Sequence, residues 1–120
     1  MSGKMSRNKG ATYQRDVRKF FAECGFEVFD PNRSGYDGDD MRLTEYPQFS
    51  VELKNHATMA LPAWLAQAKA QAKAISPFHI PVVIHKRKGK TDVGQHYVAM
   101  EVNDFIQILK LIKSEREESE

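Results

Sequence analysis

A single cysteine, Cys24, in 120 residues excludes an internal disulfide framework and a cysteine-based zinc site. The four histidines, His56, His79, His85 and His96, show no His-x₃-His or similar spacing, which argues against zinc held by nitrogen ligands. No apolar run reaches about 18 residues, and no basic segment leads into an apolar stretch at the amino terminus. The expectation is a soluble, cytoplasmic protein with a reduced thiol, Cys24 acting as a small buried hydrophobe on a helix face. P-loop, dinucleotide fingerprint, Gly-x-Ser-x-Gly elbow and Cys–His pairing are all missing, as are internal repeats.

What is present fits one domain with one core. The apolar fraction of 41% is ordinary for a globular chain. The net charge of +2 conceals an asymmetry: residues 114–120 hold four acids and one base, so 1–113 carry 17 basic against 12 acidic side chains. A moderately basic body of 1–113 with an acidic, solvated tail at 114–120 suits a partner rich in phosphate. Residues 1–9, with Lys4, Arg7 and Lys9, read as a flexible basic arm.

Apolar residues Tyr13, Val17, Phe20, Phe21 and Cys24 recur at helical spacing over 12–24, with Gly25 as the stop and Arg15, Arg18 and Lys19 opposite. Strands are expected at 26–29, 41–43 and 49–54, the last two forming a hairpin joined through residues 44–48. An alanine-rich helix follows at 61–75, with Pro62 in its first turn and a buried stripe through Leu61, Trp64, Leu65, Ala68, Ala72 and Ile75. The run Val82–His85 reads as a central strand covered on both faces. Lys86, Arg87, Lys88 and Lys90 then form a basic tip, and Tyr97–Met100 a further strand. Asn103 or Asp104 caps a last helix, with Phe105, Ile108, Leu109 and Ile112 inward.

Chemistry concentrates at Asp40 and at Val51-Glu52-Leu53-Lys54. On a strand, Glu52 and Lys54 project from one face and Val51 and Leu53 from the other. A hairpin that sets Asp40 beside Glu52 brings two carboxylates and an ammonium together. Two close carboxylates stay ionised when a cation sits between them. Mg²⁺ takes such oxygen ligands together with waters and substrate phosphate, acidifies water and neutralises developing charge. A Glu-x-Lys triplet alone arises by chance on the order of once in a chain of this composition. Its place on an alternating strand, after an acidic Gly-rich turn and before a long helix, favours the catalytic reading. His56, just past Lys54, reads first as a surface histidine.

Taken together, these motifs resemble the PD-(D/E)xK nuclease superfamily, and within it the Holliday junction resolvases of the archaeal and phage kind. The resemblance covers about residues 7–110. It rests on Lys9-Gly10 before a helix bearing Gln14, Arg33-Ser34-Gly35, Asp40, Ser50-Val51-Glu52-Leu53-Lys54, a helix bearing Gln67, and Pro81-Val82-Val83-Ile84. It implies an α/β, restriction-endonuclease-like αβββαβ core: a mixed central sheet flanked by helices, here with an added C-terminal helix. It implies Mg²⁺, replaceable by Mn²⁺, on Asp40, Glu52 and the Leu53 carbonyl. Lys54 would position water, Gln67 would support it, and Arg33 and Ser34 would approach the scissile phosphate. Lys9, Arg15, Lys86, Arg87 and Lys88 would contact DNA.

The implied activity is structure-selective nicking of four-way junctions by a homodimer in a bacterial or phage-infected cell, with no membrane and no small-molecule cofactor. The alternatives are another nuclease of the superfamily acting on flaps, duplex ends or a specific sequence, or an inactive nucleic-acid-binding module. Two departures stand out. Gln14 occupies the place of a glutamate, and Asp39, where the family has proline, competes with Asp40 as ligand. Asp40 is preferred because Met41 and Leu43 should point to the core.

Overall fold

Two periodicities lay out the chain, a period near 3.6 in three segments and a period of 2 in the strands between them. The computed structural model describes residues 3–29 and 40–119. It runs α1 (Gly3–Glu23), β1 (Val28–Phe29), β2 (Met41–Leu43), β3 (Tyr46–Lys54), α2 (Leu61–Ile75), β4 (Ile80–His85), a 3₁₀ turn (Val93–Gln95), β5 (Tyr97–Ala99) and α3 (Val102–Ser119). The strands form one mixed, open sheet in the order β1-β2-β3-β4-β5. Only β3 and β4 are parallel, registered from Phe49↔Ile80 to Lys54↔His85, and the other neighbours are antiparallel. Parallel neighbours need a long crossover, and α2 supplies it. The class is α/β, a five-stranded mixed sheet flanked by helices.

Alternation on β3 decides what each face holds. Val51 and Leu53 join Met41, Leu43, Val82 and Ile84 beneath Tyr13 and Val17 of α1. Val83 on β4 packs under Trp64 and Ala68 of α2 on the other face. All six residues of β4 are buried, as its unbroken apolar run requires when helices cover both faces. The alanines of α2 let its backbone approach the sheet closely, with Ala68 and Ala72 almost fully buried.

Helix α1 ends in a Schellman turn. The Phe26 N–H donates to Phe21 O at 3.1 Å and the Gly25 N–H to Ala22 O at 3.0 Å. Gly25 takes the left-handed conformation this turn needs, with φ 99°, and the Phe21 and Phe26 rings meet 6.3 Å apart behind it.

Several sequence expectations are corrected here. Helix α1 begins at Gly3, so the basic segment expected to precede the helix is its first part. Cys24 is exposed, because it falls in the terminal turn rather than on the buried stripe. The 44–48 connection shrinks to Thr44-Glu45, and Pro47 lies inside β3. There β3 outruns β4, whose pairing starts only at Phe49, so no parallel partner needs the missing proline N–H. The last helix starts at Val102, with the Glu101 carbonyl accepting from Asp104 and Phe105 N–H, so neither Asn103 nor Asp104 is its cap. Its expected inner face is largely exposed: Phe105 is 50%, Leu109 45% and Ile112 49% accessible. Helices α1 and α2 already occupy the two faces of the sheet. An ion pair between Lys69 and Glu101 at 3.3 Å tethers the start of α3 to α2.

Candidate active site

The site grows from the β2–β3 hairpin. Met41 pairs with Val51, and the Asp40 N–H donates to Val51 O at 2.9 Å. The Asp40 side chain then doubles back: its Oδ2 accepts from the Leu53 N–H at 2.9 Å. A carboxylate just ahead of β2 is thereby held against the β3 segment that carries Glu52 and Lys54. Met41 and Leu43 face the core, with Met41 fully buried. Asp39 lies outside the described residues.

Glu52 is 2% exposed and shares its face of β3 with Ser50, which is fully buried. The Ser50 Oγ has no hydrogen-bond partner among the described residues. Lys54, where β3 emerges, is half-buried, and its Nζ donates to Gln67 Oε1 of α2 at 2.6 Å. The helix that follows the triplet thus returns a polar group to the triplet's lysine.

The other predicted residues divide by position. Arg33 and Ser34 lie outside the described residues, and Lys9 is known only as part of the α1 backbone. Arg15 is exposed on α1, in the layer covering the Val51–Leu53 face and not the Glu52 face. Gln14 is half-buried on the same helix. Lys86 and Arg87 are half-buried and Lys88 exposed, directly after β4, whose last residue His85 is the register partner of Lys54.

Sequence reading missed the rings beside this basic turn. His56, Trp64, His85 and Tyr97 stand in series with centroids 5.5, 5.7 and 5.6 Å apart. They come from a loop, a helix and two strands, so no spacing announces them. Burial, and after it the nearby charge of His96, holds the His85 pKa below the usual histidine value. His96 is itself fixed: its Nε2 lies 2.9 Å from Lys90 O, so this nitrogen carries the proton, and Nδ1 accepts from the Tyr13 hydroxyl at 2.9 Å.

Among the described residues no group of three or more His, Cys, Asp or Glu side chains stands together. The donor set at the hairpin is two carboxylates and backbone carbonyls, all hard oxygen. That set fits Mg²⁺, which commonly takes one or two protein carboxylates and fills its shell with water and phosphate. It does not fit a structural zinc site.

The fold defines an α/β protein whose Asp40 carboxylate is bonded to the backbone of the strand that carries Glu52 and Lys54. Comparison of the chain with protein-family models, with curated proteins and with solved structures gives no match in any of the three. Among the described residues no helix is long and apolar enough to cross a membrane.

Proposed function

We propose that this chain is a Mg²⁺-dependent DNA endonuclease of the PD-(D/E)xK type that nicks four-way junctions. The observation that carries the reading is the Leu53 N–H to Asp40 Oδ2 bond of 2.9 Å. It ties the Asp40 carboxylate to the strand segment bearing Glu52 and Lys54, and this supports a site in which both carboxylates and the lysine would act on one phosphodiester. Asp40, Glu52 and the Leu53 carbonyl would hold the ion, which when bound supplies acidified water and neutralises charge on the scissile phosphate. Lys54 keeps one of its three protons on Gln67 and offers the others to the attacking water and the developing oxyanion. Gln67 holds the ammonium in place. The lysines at 86 and 88 and Arg87 meet the backbone of the strands.

A four-way junction has two-fold character, and a C₂ homodimer would bring two such sites to it. Helix α3 is the better candidate for that contact, since Trp64 is buried in the core. Val102, Phe105, Leu109 and Ile112 are exposed at alternating spacings of three and four, the seam that two copies of one helix can share.

The test is incubation with labelled four-way junction, flap, linear duplex and single strand, with Mg²⁺ or chelator. Paired symmetric nicks in the junction alone, lost with chelator, support the reading. Cutting of flaps or duplex ends points to another nuclease of the superfamily, and binding without cutting to an inactive module. Glu52→Gln and Lys54→Ala should each lower turnover by at least about 10²-fold, the usual scale for one electrostatic group, with junction binding retained. A monomer by light scattering, both free and on DNA, would contradict the dimeric resolvase.

A further inference from the structure

At the carboxyl-terminal edge of the parallel β3–β4 pair, next to Lys54, the four-ring series opens into a cleft of ≈ 260 Å³. Its middle rings are buried, Trp64 at 7% and His85 at 5% exposure, while Tyr97 is 51% exposed and Met59 57%. The Arg87 guanidinium lies 4.6 Å from the Tyr97 ring centroid and is anchored by its Nη1 donating to Gln95 O at 3.0 Å. Lys86 and Lys88 also line the cleft.

A solvated basic turn has no need of a ring wall, and a purely apolar pocket has no need of three cations. The combination selects a ligand with a flat π face and a negative charge close to it. A nucleotide has both, and it must be unpaired, because bases within a duplex already stack on their neighbours. The location agrees with this. Ligands of open α/β sheets gather outside the carboxyl ends of parallel strands, and His85 is one strand spacing, about 5 Å, from Lys54.

We infer that this cleft takes one unpaired nucleotide of the substrate strand, its base against Tyr97 and Met59 and its phosphate on Lys86 and Lys88. This deepens the nuclease reading, since it would make the substrate one that offers an unstacked base at the cleavage point, but the binding step does not require cleavage. The buried His85, held neutral, adds no charge behind the base.

Trp64 is the chain's only tryptophan and belongs to the ring series, so its fluorescence reports on the cleft. The full chain, in chelator and at fixed salt, is titrated with a thymidine oligonucleotide and with a blunt duplex of equal length. The expected result is quenching by the single strand, with at least about tenfold tighter binding than for the duplex. Stacking one base contributes about 1–3 kcal/mol, which corresponds to roughly 5- to 150-fold in affinity. Tyr97→Ala should therefore weaken single-strand binding by at least about fivefold, Tyr97→Phe should restore it, and duplex binding should change less than twofold. Met59→Glu, at an exposed position that leaves the core intact, should weaken the single strand similarly. Equal affinity for both nucleic acids, or unchanged single-strand binding in both Tyr97→Ala and Met59→Glu, overturns the inference. Loss of Mg²⁺-dependent nicking with these effects intact would sink the nuclease reading alone. Nicking without them would sink only the cleft.

Discussion

The phenol of Tyr13 offers a stability test whose size and sign follow from the structure. Tyr13 is 2% exposed, and burial pushes its pKa from 10.0 to about 12. Its hydroxyl donates to His96 Nδ1 across the interface between α1 and the segment before β5. In Tyr13→Phe the hydrogen bond is lost and a half-buried acceptor is stranded, a cost of about 1 kcal/mol at pH 7. Above pH 10 the balance changes. The unfolded chain releases the phenolic proton near 10 while the folded chain keeps it to about 12, so the unfolded state gains. The contribution of Tyr13 is complete below pH 10 and is lost as pH rises through 12, about 1.4 kcal/mol of it by pH 11 and about 2.7 kcal/mol in all. Phenylalanine has no such loss. Wild type should therefore be more stable than Tyr13→Phe at pH 8 by about 1 kcal/mol, and the order should reverse between pH 10 and 11. Urea unfolding of both proteins from pH 8 to 11 measures this, and the comparison cancels titration of the lysines and other tyrosines. Parallel stability curves with no crossing would refute the assignment of a proton-holding, buried phenol to Tyr13.

Two further predictions concern the opposite face of the sheet, which carries Ser50 and His85. His85 is held neutral by burial and by His96. Its folded pKa is lowered, so its contribution is present above the unfolded value near 6.5 and is lost as pH falls. In His85→Phe the acid-side loss of stability should be smaller, and by NMR the His85 ring should titrate below the ordinary histidine value near 6.5; a pKa at or above that value would contradict the burial. Ser50 Oγ is buried without a partner among the described residues. Ser50→Ala should leave stability unchanged or raise it by up to about 1 kcal/mol, and a loss of about 2 kcal/mol in urea would mean that the hydroxyl is satisfied after all.

The amino-acid sequence by itself determined the local elements. The alanine run with Pro62 sets α2 at residues 61–75, alternation sets β2 at 41–43, and Gly25 stops α1 through its left-handed turn. These depend on short-range sterics and on which side chains can share a face, so they are readable in place. The separation of Val51 and Leu53 from Glu52 and Lys54 belongs here as well, because the period of a strand is fixed by its pleat.

Tertiary packing decided the rest. That the Asp40 carboxylate reaches the Leu53 N–H depends on an irregular register between β2 and β3, which no spacing encodes. Cys24 and the apolar side of α3 look internal by periodicity, yet periodicity states only which residues share a face, not whether a partner covers it. Here α1 and α2 took both faces of the sheet and left Phe105, Leu109 and Ile112 exposed. The ring series joins positions 56, 64, 85 and 97 because a parallel crossover returns β4 alongside β3 and an antiparallel strand closes beside it. Its contacts are long-range in the chain and short-range only in space, so the cleft exists only once the sheet has formed.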